Sequence, residues 1–265
     1  MRFSSLHNHT VFSDGVGTVT ENIESAIKKG LVSIGFSDHS FTPCDTSYCM
    51  KIEDYPAYLN AINEAKIKYN GVIPVYTGLE MDYFSEINRE DFDYIIGSVH
   101  YIIKNGICYP IDHSAKQQQD CIADAFGGNI YDMAKFYFES VVDHARKNRP
   151  DIIGHYDVLA KFSLMPEDEK YYDIAKEAMI ETAKYCDVFE INTGAISRGY
   201  RTEPYPDKML LSILCDMGCK IVINADSHNP KNLDCHFKES AELMREIGFK
   251  SHYIFNGKTF DDVKL

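Results

Sequence analysis

The chain of 265 residues carries 27 Lys and Arg against 40 Asp and Glu, a formal charge of −13. That balance argues against a protein held on nucleic acid or on an anionic membrane by a general basic surface, while leaving room for a small cationic pocket. A hydrophobic fraction of 45% is enough for a real core and too high for a disordered chain. The length suits a single domain over residues 1–265, the size of many α/β barrels. Residues 1–9 have no apolar stretch of signal-peptide type, and no apolar run reaches the roughly 20 residues needed to span a bilayer. The eight cysteines form no CxxC pair, so they are expected to be reduced thiols, mostly small apolar fillers, in a cytoplasmic protein.

Short β-rich runs alternate with helical patterns along the chain. Residues 3–7 read as the first strand. A helix over 20–29 follows, with Thr18 or Thr20 as N-cap and Gly30 as its stop. Residues 31–37 form the second strand, 55–69 a helix, 72–81 the third strand and 94–101 the fourth. A long helix covers 130–147, a fifth strand 151–155 and a further helix 170–185. The sixth strand spans 188–192, a helix 207–217, the seventh strand 220–225, a helix 237–247 and a last short strand 252–255. Alternation of this kind implies parallel pairing, and apolar runs such as Ile221-Val222-Ile223 imply a sheet covered on both faces.

Polar residues fall where these strands end. His7 and His9, His39, Glu80, His100, His155, Asn192, and Asp226 with His228 each stand at or just past a strand C-terminus. In a closed parallel barrel those ends ring one mouth; in an open sheet the outer ones cannot meet. The pattern therefore favours a somewhat irregular α/β barrel of about seven strands. His7 and His9 are two apart, so in an extended segment both imidazoles face one side and reach one ion. Asp226 and His228 repeat that spacing. A charged Glu80 at the end of an apolar strand is costly unless a cation or donor meets it. His144, His236 and His252 lie off the pattern and read as structural. With Asp14 there are nine candidate ligands: His7, His9, Asp14, His39, Glu80, His100, His155, Asp226 and His228. A catalytic ion takes three or four protein ligands, so nine are too many for one ion and suit three if Glu80 bridges. Imidazole with carboxylate suits Zn, Mn or Fe, of one kind or mixed.

The runs His7-Asn8-His9-Thr10-Val11-Phe12-Ser13-Asp14-Gly15, Phe36-Ser37-Asp38-His39, Gly78-Leu79-Glu80, Gly97-Ser98-Val99-His100, Ile153-Gly154-His155 and Asn224-Ala225-Asp226-Ser227-His228 occur in this order. Together they resemble the polymerase-and-histidinol-phosphatase (PHP) superfamily. Within it, the length and long inserts resemble the stand-alone histidinol-phosphate phosphatases of bacterial histidine biosynthesis. The resemblance implies a distorted (β/α)7 barrel with three divalent metal ions at the C-terminal mouth of its strands. It implies that His7, His9, Glu80 and Asp226 hold the first ion, Glu80, His100 and His155 the second, and Asp14, His39 and His228 the third. Some relatives carry a His near the position of Asp14.

Clustered divalent cations suit phosphate-ester hydrolysis. The expected activity is release of phosphate from L-histidinol phosphate by a hydroxide bridging two ions, with Glu80, Asp226 and His228 as catalytic groups. Arg198 is the first candidate to grip the phosphate bidentately, with Lys161, Ser197 and Arg201 beside it. Loops over residues 40–50 and 102–129 are expected to wall a small substrate and to receive its imidazole and amine through Asp or aromatic groups. The alternative is another phosphoesterase of the same superfamily acting on nucleotides or oligonucleotide ends, although the acidic composition speaks against a nucleic-acid groove. A metal amidohydrolase usually shows a bridging lysine on a middle strand, where this chain has Glu80. A binding module with a vestigial site is at odds with so full a ligand set.

Overall fold

The computed structural model describes residues 1–265. In chain order, α1 (Val19–Lys29) leads to β1 (Ile34–Phe36), α2 (Tyr55–Lys68), β2 (Val75–Asp82) and β3 (Tyr94–Ser98). An inserted hairpin of β4 (Tyr101–Lys104) and β5 (Ile107–Pro110) precedes α3 (Ala115–Asp120), α4 (Ile130–Asn148) and the short β6 (Ile152–Ile153). Then come α5 (Glu169–Ala183), β7 (Val188–Asn192), α6 (Gly194–Ser197), α7 (Lys208–Asp216) and β8 (Lys220–Asn224). The chain finishes with α8 (Phe237–Ile247) and a hairpin of β9 (Ser251–Phe255) and β10 (Phe260–Lys264).

The local chemistry explains most of these limits. Thr18 caps α1 in a reciprocal box with Glu21, and Gly30 ends it in the left-handed region at φ 73°. Asp207 caps α7 and Asp168 caps α5. Every residue of β3 and β7 is buried, as in strands covered on both faces. The six strands β1-β2-β3-β6-β7-β8 run side by side, all pairs parallel.

The first expected strand, 3–7, makes no regular ladder. It touches β1 through a parallel bridge Ser5–Ile34 and the end of β8 through Asn8–Ser227. Backbone bonds carry the pairing on both sides, Val32 N to the Phe3 carbonyl and Gly35 N to the Ser5 carbonyl on one, Ser227 N to the His7 carbonyl on the other, and side-chain amides add to it: Asn8 donates to Ser5 and Gly35 carbonyls, and Asn224 Oδ1 accepts from Leu6 N. This segment thus lies between the first and last strands of the sheet and closes it into the expected irregular barrel. A single apolar core runs from Leu6 to Phe255 through all of these strands.

Three further expectations are corrected. The fourth strand stops at Ser98, because Val99 and His100 turn the chain into the β4–β5 hairpin. The insert read as loop over 102–129 therefore holds a hairpin and a helix. The last strand gains a partner, β10, which the sequence pattern did not reveal. Cys44 and Cys108 are not thiols but a disulfide, with Cα atoms 5.7 Å apart. The bridge ties the loop after β1 to the inserted hairpin; the six other cysteines are free.

Candidate metal centre

Glu80, fully buried near the end of β2, is the hub of the barrel mouth. Its Oε2 lies 2.8 Å from His39 Nδ1, 3.2 Å from His7 Nε2 and 3.6 Å from His9 Nε2. Its Oε1 lies 2.9 Å from His155 Nε2 and 3.3 Å from His100 Nε2. Asp226 Oδ1 stands 3.2 Å from His9 Nε2 and 3.8 Å from His7 Nε2. Asp14 Oδ2 stands 3.2 Å from His228 Nε2, and its Oδ1 is 3.7 Å from His39 Nε2. The nine ligands expected from sequence thus meet in one place. Eight of them fall into three overlapping groups of donor atoms, each within 4.8 Å: His7, His9 and Asp226; His39, Glu80 and His100; and His9, Asp14, His39 and His228. The ninth, His155, joins through Glu80 Oε1 and His100 Nε2.

The donor chemistry fits divalent cations. Glu190, buried in the middle of β7, accepts from His7 Nδ1 at 3.0 Å, which leaves the lone pair of Nε2 facing the centre. Asp82 does the same for His100, whose Nδ1 lies 3.3 Å from its Oδ2. His7 Nε2 and Glu80 Oε2 are buried without any hydrogen-bond partner, a costly state that a shared cation would relieve. His100 Nε2 and His155 Nε2 face each other at 3.3 Å beside Glu80 Oε1. The electrostatics agree. Burial is the largest influence on His7 and lowers its pKa, yet Glu190, Glu80 and Asp226 together hold it well above the ordinary value. His9 is pushed down to about 3, first by burial and then by the charges of His228 and His39.

Backbone geometry positions these groups. Asp226 sits in the left-handed region at φ 46°, a conformation a non-glycine residue adopts at a cost of about 1 kcal/mol or more. Gly194 faces it so closely that an added Cβ would lie 2.7 Å from Asp226 Oδ2 and 2.9 Å from Arg198 Nη2. That close approach lets Arg198 donate to Asp226 Oδ2 at 3.0 Å and to its carbonyl at 3.1 Å. Arg198 Nη1 also lies 2.9 Å from His228 Nδ1. Lys161 donates to the Asp112 carbonyl at 2.6 Å and reaches its Oδ2 at 3.3 Å. Both cations line a cavity of about 280 Å³ over the cluster, along with Tyr48, Tyr101, Asp112 and Tyr205.

Two expected substrate contacts are placed elsewhere. Ser197 Oγ donates to the Gly194 carbonyl, and Arg201 donates to the Ala160 carbonyl; neither side chain lines this cavity. The expected walls do contribute, Tyr48 from the loop after β1 and Asp112 and His113 from beyond the hairpin.

The PHP domain model matches residues 5–194, well over half of the chain. The chain belongs to the PHP family. A Deinococcus radiodurans protein named "Probable histidinol-phosphatase" is 29% identical over 256 residues, covering 91% of this chain and 92% of its own length. A Schizosaccharomyces pombe protein of the same name is 27% identical over 268 residues, covering 89% and 83%. Among solved structures, histidinol phosphate phosphatase from Lactococcus lactis, complexed with zinc, L-histidinol and phosphate, superposes with a TM-score of 0.72. It shares 22% identity and is covered to 99%, against 98% of this chain. The PHP fold is thereby established here, and the clustered donors are of the kind that holds divalent metal. Asp226 and His228 lie beyond the matched span and are joined to the PHP cluster by the geometry alone.

Glu190, Asp82 and Asp112 escaped the sequence reading. A charged residue inside the buried run Val188–Asn192 was a usable signal, since an unpartnered carboxylate there would be prohibitive. Asp82, two residues past Glu80, had weaker prominence, and Asp112 had none.

Proposed function

We propose that this chain hydrolyses L-histidinol phosphate to L-histidinol and phosphate, as one PHP-type domain over residues 1–265 acting in the cytoplasm. The names of the curated relatives and the ligands of the Lactococcus lactis structure support the substrate. The observation that carries the reading is Glu80 amid five imidazoles, with His7, His9 and His39 about Oε2 and His100 and His155 about Oε1, beneath a cavity that also holds Arg198 and Lys161. Three cations, of Zn, Mn or Fe, suit nine ligands of this type.

His7, His9, Glu80 and Asp226 would hold one cation, Glu80, His100 and His155 the second, and Asp14, His39 and His228 the third. Bound there, such ions supply Lewis-acid stabilisation of phosphoryl charge and lower the pKa of water. Arg198 presents its guanidinium to the phosphate from the Asp226 side, and Lys161 from the far wall. Asp226 and His228, themselves among these ligands, would help to carry the proton that the leaving alkoxide needs. No helix of the chain is long and apolar enough to cross a membrane.

Elemental analysis together with phosphate release tests the reading. The purified protein is expected to carry more than one equivalent of divalent metal and to prefer histidinol phosphate to short oligonucleotides. Treatment with a chelator abolishes turnover, and readdition of Zn, Mn or Fe restores it. Full activity in a metal-free sample, or a preference for oligonucleotide ends, would refute it. Arg198→Ala is expected to raise KM for the phosphomonoester at least tenfold, roughly 1.4 kcal/mol. An unchanged KM removes Arg198 from the phosphate site.

A further inference from the structure

The cavity over the candidate metal ligands is lined by two unlike sets of groups. Arg198 and the residues of the cluster suit an anion. Tyr48, Tyr101 and Asp112 line the same cavity and suit an organic cation. The Tyr48 and Tyr101 rings stack at a centroid distance of 6.4 Å, and Tyr48 packs edge-on to His39 at 4.8 Å. Asp112 follows the inserted hairpin and spends only part of its capacity on Lys161. Its backbone carbonyl and Oδ2 take the Lys161 ammonium, while Oδ1 takes no bond from the protein. The side chain is 24% exposed, so it remains reachable from the cavity, whereas that of Lys161 is only 12% exposed.

We propose that Asp112 is the residue that selects phosphomonoesters whose alcohol carries a positive charge, receiving that ammonium or imidazolium on Oδ1 against the faces of Tyr48 and Tyr101. The inference rests on the phosphatase reading above and adds to it a determinant of specificity. Simple pairing with Lys161 would leave a neutral couple and no preference among alcohols. The unused oxygen and the two tyrosine faces are what tilt this set of groups toward cations. The carboxyl is ionised for the purpose. Burial raises its pKa, but Lys161, ahead of His100 and His155, brings it below the ordinary value. The disulfide adds to the case, because Cys44–Cys108 joins the loop that bears Tyr48 to the hairpin that delivers Asp112, so these groups sit on one cross-linked piece.

A near-isosteric pair, 2-aminoethyl phosphate and 2-hydroxyethyl phosphate, reads the effect directly, with L-histidinol phosphate as a third substrate. The metal-loaded wild-type protein is expected to favour the amino ester in kcat/KM by about tenfold or more, and Asp112→Asn to abolish most of that ratio. Asp112→Glu, which keeps the charge, retains a preference. Lys161→Ala lowers kcat/KM for both esters and moves their ratio little. A ratio near one in the wild type overturns the proposal without any variant. So does a folded, metal-replete Asp112→Asn protein with an undiminished ratio, which would reduce Asp112 to a support for Lys161. If histidinol phosphate itself is not turned over while the amino ester is preferred and the preference depends on Asp112, the substrate reading fails and this inference stands.

Discussion

Glu80→Gln is expected to lower kcat/KM by about a thousandfold, roughly 4 kcal/mol of transition-state stabilisation, and to lower the bound metal at the same time. The size follows from position. One carboxylate meets five imidazoles, with Oε2 toward His7, His9 and His39 and Oε1 toward His100 and His155. Gln keeps the shape but removes the negative charge and turns one oxygen into a donor. That donor would repel a cation, or would hydrogen-bond the very imidazole lone pairs that a cation needs. Metal content by elemental analysis and phosphate release measured on the same sample decide the matter. A variant that keeps its full complement of ions and near-normal turnover would deny Glu80 the bridging role.

Glu190→Ala should be nearly as damaging although its carboxylate faces away from the cavity. The group accepts from His7 Nδ1, from His155 N at 2.8 Å, from Asn192 Nδ2 at 2.8 Å and from Asn224 Nδ2 at 2.9 Å. Asn224 in turn receives Leu6 N, so the network holds the N-terminal segment in its seat. Its removal strands buried donors and frees the His7 ring. A loss of about 3 kcal/mol or more in stability is expected, along with a fall in metal affinity of about 10–100-fold. Urea unfolding and calorimetric titration with zinc test both halves. An unshifted unfolding midpoint with unaltered zinc affinity would show the network to be dispensable.

How far the fold could be read depended on whether local pattern and tertiary context agreed. Residues 188–192 and 237–247 match the observed β7 and α8 because a short, fully buried β-rich run and an amphipathic run ended by Gly248 each have one stable outcome. The segment at 3–7 does pair, through backbone bonds with Val32, Ser33 and Gly35, and side-chain contacts from Asn8 and Asn224 supplement it. The inserted hairpin carried an overlooked local signal, Asn105-Gly106 with both residues at positive φ between two apolar runs, whereas the Cys44–Cys108 pairing depends on a distant partner that no local pattern encodes. The metal ligands were legible because strand-end placement and His-x-His spacing are local signals that converge in a barrel. Their supporting acids were not, apart from the overlooked signal at Glu190. Asp112 was invisible because nothing in a loop marks the aspartate that will face a cavity.

The seating of the N-terminal segment fixes an order of events during synthesis. His9 meets Asp226 across 217 residues of chain, and Asn8 bridges to Ser227. At about 5–20 residues per second, the first histidines wait on the order of 10–40 s for these partners to be translated. Through that interval His7 and His9 belong to an unfinished cylinder, and two of the three ligand groups lack a member. The cluster of candidate ligands is thus complete only once nearly the whole polypeptide has left the ribosome, and the closing of the ring is the last step of its assembly.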